Sequence, residues 1–111
     1  MRIFSFFSRS DANAYAEGLA VDLTRDLPPK LILKSASIIS ANRVTTILER
    51  SYEKASTFQS EQNMNGFQRA AFANTFRWKL DEIGYPEEFV RVATEGLLVH
   101  LSRSVKTGGE G

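Results

Sequence analysis

The chain has 111 residues, 42% hydrophobic and 24% charged, and its 14 basic and 13 acidic side chains leave a net charge of +1. That length fits one domain, and the balance excludes wholesale disorder and any global pull toward nucleic acid or an anionic membrane. No cysteine is present, which excludes disulfides and thiolate metal sites and makes a cytoplasmic location the expectation.

Residues 1–10, Met-Arg-Ile-Phe-Ser-Phe-Phe-Ser-Arg-Ser, form an N-terminal aromatic segment. Its apolar part is short, interrupted by Ser5 and closed by Arg9, so a cleaved signal is not expected. No run approaches the ~18 apolar residues of a membrane span. Ile3, Phe4, Phe6 and Phe7 are expected to fold back onto the helices, as aromatics generally do. The competing reading puts residues 1–9 against a partner, or peripherally on a membrane with Arg2 and Arg9 facing phosphates.

A single helical domain is expected over 11–105. Ser10 can cap its first helix, with Asp11 at the positive end of the dipole. Ala12, Tyr15, Ala16, Leu19, Leu23 and Leu27 then recur as one stripe, and its alanines permit close approach of a neighbour. Pro28 and Pro29 end this helix, placed at 11–26. Residues 30–36 could be helix, loop or strand. A lone strand would have no pairing partner, so the expectation is a loop or first helical turn whose Leu31, Ile32 and Leu33 plug the core.

The second helix is placed at 37–60, with Val44, Ile47, Leu48, Tyr52, Ala55 and Phe58 on one face. A third, at 65–83, starts with a capping box of Asn65 and Gln68 and stops at Gly84. It carries two apolar stripes: Phe72, Phe76, Leu80 and Ile83 on one side, Phe67, Ala71 and Trp78 roughly opposite. A helix with one wet side needs only one, so this one is expected to be covered from two directions. Pro86 and two glutamates open the last helix, 86–105, whose stripe is Phe89, Val90, Ala93, Leu97, His100 and Leu101. Glu87 and Arg91 are spaced for an ion pair, Val92 and Val99 leave room for a second contact, and 106–111 reads as a flexible tail.

Signatures of chemistry are sparse. His100 is the sole histidine and sits on an apolar stripe, which favours a half-buried, hydrogen-bonded role. As a base or ligand it would need carboxylates from elsewhere in the fold, because Glu95 is badly spaced on its own helix. Asp81–Glu82 and Glu87–Glu88 are sequence neighbours that diverge on a helix and read as surface charge. No phosphate loop occurs. No catalytic, cofactor-binding or metal-ligating residue is assigned, and no small molecule is inferred. Arg69, Arg77 and Lys79 are spread around their helix, and the acidic start of the last helix would meet phosphates badly, so nucleic acid is not the expected partner.

These patterns describe an all-α bundle of about four helices with antiparallel neighbours. Either the chain itself covers the second stripe, or Phe67, Ala71 and Trp78 are an interface, since aromatic anchors concentrate at interface centres. The leading expectation is a non-enzymatic interaction or adaptor module, homodimeric and binding a further protein through those three residues. The alternatives are a nucleic-acid-associated regulatory factor, and a ligand-binding or enzymatic bundle using His100 at a subunit interface.

Overall fold

A computed structural model describes residues 9–34 and 41–107. Five helices occur in the order α1 Arg9–Asp26, α2 Pro29–Lys34, α3 Ala41–Gln62, α4 Gly66–Ile83 and α5 Glu87–Thr107. No strand is present among the described residues. The N-terminal aromatics Ile3 to Phe7, the start expected for the second helix at 37, and the end of the tail lie outside the described residues.

Local signals explain most of the boundaries. Pro29 supplies the first residue of α2, where a missing N–H costs nothing. The expected loop or turn after residue 29 is thus a short helix as far as Lys34, and Ile32 packs against the core. Helix α3 runs two residues beyond the expected end. Asn63, at φ 57°, stops it in the left-handed region that asparagine tolerates. The Met64 N–H then turns back to the Gln59 carbonyl and buries Met64. Gly84, at φ 116°, ends α4 the same way, with the Tyr85 N–H on the Leu80 carbonyl.

The long helices form a ring in which α1 touches α3 and α4, and α5 closes it by touching the same two. Asn13 meets Thr75 while Tyr85 reaches back to Leu27, so α1 and α4 run in one sense. Tyr52 reaches Ala93 and Gln59 reaches Leu101, so α3 and α5 also run together. Tyr15 lies by Lys54 and Asp26 by Arg50, so α1 opposes α3. Consecutive long helices therefore alternate in direction as expected, although two of the four side-by-side contacts are parallel.

The predicted stripes of α1, α3 and α5 form the core. Ala16, Leu23, Leu27, Ala55, Ala93, Leu97 and Leu101 are almost fully enclosed, and Phe72, Phe76 and Leu80 of α4 join them. Ala12, Ala16 and Ala20 let α1 lie close to α4. Stacked rings of Tyr15 and Phe58, 4.1 Å apart, continue to Phe72 and tie α1, α3 and α4 together. One expected ion pair differs: Arg91 binds Glu88 at 2.6 Å and Glu95 at 3.4 Å rather than Glu87. Those two carboxylates sit one turn before and one turn after the guanidinium fork, whereas Glu87 is exposed in the first turn.

Candidate functional site

Helix α4 is positioned firmly at both ends. The Asn65 side chain accepts from the Gln68 N–H while the Gln68 side chain accepts from the Asn65 N–H, each at 2.8 Å. This is the capping box expected from the sequence. With the ends fixed, Phe72, Ala73, Phe76 and Leu80 are buried and Ile83 is half-buried. The opposite stripe is not enclosed by the described residues. Phe67 is 88% exposed, Trp78 is 53% exposed, and Ala71 between them is open as well. Coverage from two directions, expected from the double stripe, is thus met on one side only within the described residues.

Phe67 and Ala71 line a groove of about 680 Å³ whose far wall is Ala12 and Asn13 of α1. Trp78 is on the same stripe but lies beyond that groove, roughly 16 Å along the axis from Phe67 at 1.5 Å per residue. Asn74, also lining the groove, completes the stripe between Ala71 and Trp78. Apolar periodicity passed it over because it is polar, yet its spacing of three and four from those residues was the available signal.

A second, shallower groove of about 430 Å³ runs between α3 and α5. Leu48, Tyr52, Val92, Gly96 and Val99 line it, with Thr45, Glu49, Glu95, His100 and Arg103 as its polar lining. His100 is half-buried there, and its Nε2 lies 3.1 Å from Oε2 of Glu53 on α3. The carboxylate that His100 required from another element is therefore present. Ser104, one turn on, donates to the His100 carbonyl and shares a 2.7 Å hydrogen bond with Ser56. Val92 and Val99, off the buried stripe of α5, are 47% and 49% exposed and line this groove.

Charge is dispersed. Arg69 donates to the Gln59 side chain at 2.8 Å, Lys79 binds Glu82 at 2.8 Å, and Arg25 binds Asp22 at 2.9 Å. Among the described residues no cluster of three or more acidic, histidine or cysteine ligands could hold a metal. No helix among them is long and apolar enough to cross a membrane. No family model, curated protein or solved structure matches the chain.

Proposed function

We propose that the protein is a non-enzymatic interaction module, located in the cytoplasm, whose working surface is the outer stripe of α4. The observation that carries this reading is the exposure of Phe67 and Trp78 on a helix held at both ends. A soluble fold gains nothing from leaving two large aromatics in water on a rigid, capped element, and such rings are the usual anchors of protein interfaces. Asn74 and Ala71 between them suit a packed seam better than a phosphate-binding face, and the neighbouring Lys79 is already paired with Glu82. Self-association is the form proposed, because one surface serves both partners.

The experiment is light scattering over a concentration series, on the native chain and on Trp78→Ala, with circular dichroism on both. The native mass is expected to rise toward twice 12.4 kDa, and Trp78→Ala should remain helical while staying nearer the monomer. A native chain that is monomeric throughout, or a variant that unfolds, would remove the reading. Unfolding would assign Trp78 to the core.

A further inference from the structure

We infer that the partner of the α4 stripe is the α4 stripe of a second copy, packed antiparallel about a two-fold axis. Each copy would place its Trp78 in the other's groove beside Phe67. This rests on the interface reading above and adds to it a partner and a geometry.

The stripe is asymmetric along its length. At its N-terminal end lies a hole, the groove bounded by Phe67, Ala71 and, across on α1, Ala12 and Asn13. At its C-terminal end stands a knob, the half-exposed indole of Trp78, which does not line that groove. Knob and hole are separated by eleven residues, three full turns to within about 20°, so both face the same way. A two-fold axis perpendicular to the helix, passing between Ala71 and Asn74, carries each knob onto the other copy's hole. Phe67 then opposes the second copy's Trp78, and the small Ala71 opposes Asn74. A parallel pairing would instead set indole against indole and leave both grooves unfilled.

Charge is compatible with that arrangement. The axis brings Arg77 of one copy toward Ala70 of the other, and no like-charged pair on α4 is juxtaposed. In the parallel alternative Asp81, the next position on the seam, would meet its own copy. Asn74 near the axis puts one polar residue of each copy in the seam, the kind of residue that fixes register in helix pairing.

Area sets the strength. Aromatic side chains bury about 150–250 Å² each, so two Phe67 and two partly exposed Trp78 supply several hundred Å². With the flanks of α1 and α4 the total comes to roughly 1,000 Å², the low end for specific interfaces. The dimer is therefore expected to dissociate on dilution through the micromolar range.

Two features of the sequence make the test direct: Trp78 is the sole tryptophan and there is no cysteine. Trp78 emission should shift to shorter wavelength as concentration rises, in step with the light-scattering mass. Ala71→Arg, at an exposed site, should remain helical and raise the dissociation constant at least tenfold. A nitroxide on Glu82→Cys then reports the geometry. The antiparallel pairing places the two labels about 30 Å apart, nineteen residues of rise plus the helix spacing. A dimer with labels closer than about 15 Å would overturn this arrangement while leaving α4 an interface. A dimer in which neither Trp78 emission nor Ala71→Arg has any effect would overturn both. So would a strict monomer at every concentration.

Discussion

Gly96 of α5 lies directly against the ring of Tyr52 from α3. A Cβ built on Gly96 would stand 2.5 Å from the Tyr52 hydroxyl oxygen and 3.0 Å from the ring carbon bearing it. That hydroxyl donates to the Ala93 carbonyl at 2.8 Å, one turn earlier on α5. The ring is therefore fixed at both its edge and its tip, and glycine is what allows the parallel helices to meet there. Alanine is ordinarily favoured over glycine inside a helix by about 1 kcal/mol. Here the ring would have to tilt and give up its hydrogen bond, so Gly96→Ala is expected to destabilise by about 1–2 kcal/mol net. In a double-mutant cycle read by urea unfolding, Tyr52→Phe should cost less in the Gly96→Ala chain than in the native one, with a coupling above about 0.5 kcal/mol. Additive losses would show that the contact is not what makes glycine necessary.

Gln59 joins three helices from a buried position, 3% exposed. Its Nε2 donates to the Leu101 carbonyl on α5 at 3.1 Å, and its Oε1 accepts from Arg69 Nε on α4 at 2.8 Å. Gln59→Leu preserves bulk but leaves a half-buried guanidinium without this acceptor, so a loss of about 1–3 kcal/mol is expected. Thermal unfolding reads it as a fall of roughly 4–8 °C per kcal/mol for a chain of this size. An unchanged midpoint would mean that Arg69 finds water as readily as glutamine.

How much of this could be read beforehand depended on the kind of interaction. Apolar repeats foretold the buried faces of α1, α3 and α5, because hydrophobic burial follows the helical period residue by residue. Asn65, Gln68 and Gly84 marked the ends of α4 because caps are local in sequence. Contacts set by tertiary placement were not legible. Pro28 and Pro29 read only as a stop, although Pro29 opens α2. Gln59, being polar, is counted in no apolar repeat, and its role depends on Arg69 and Leu101 being brought around it. Nothing local in the sequence marks Gly96, whose role depends on α3 supplying Tyr52. The two stripes of α4 were plain from periodicity, but which one the chain covers depends on where α1 and α5 settle. His100 likewise shared a face with apolar residues, and only the parallel setting of α3 and α5 brought Glu53 to it.

Thr94 presents the opposite case from Gln59. It is 7% exposed on α5, and its Oγ1 finds no hydrogen-bond partner among the described residues. An unsatisfied buried hydroxyl is a cost to the folded state, and valine has nearly the same shape without it. Thr94→Val is expected to leave the midpoint of unfolding unchanged or raise it, by up to about 1 kcal/mol. A clear destabilisation would show that the hydroxyl is satisfied in solution.

The alkaline limit of the fold should be set by tyrosine. Burial pushes the Tyr52 hydroxyl up to about 12, with Glu49 adding to it, and burial alone pushes Tyr85 up to about 12. Tyr15 is raised as well, by burial first and then by Glu61 and Asp22. Tyr52 and Tyr85 both donate to backbone carbonyls, of Ala93 and Leu27, and a phenolate could donate to neither. In the unfolded chain the same groups ionise near 10. Between about pH 10 and 12 the folded state therefore holds protons that the unfolded state has released, and stability falls as pH rises through that window. Below pH 10 both contributions are fully present. In a titration from pH 8 to 13, tyrosinate absorbance and loss of helical circular dichroism should accordingly rise together above pH 10. Tyr85→Phe should be less stable at neutral pH, by about 1 kcal/mol for the lost hydrogen bond, and should show a shallower decline across the alkaline window. Tyrosinate absorbance with its midpoint near pH 10 and the helices intact would mean that these rings are open to solvent and that their hydroxyls do not hold α1 and α5 in place.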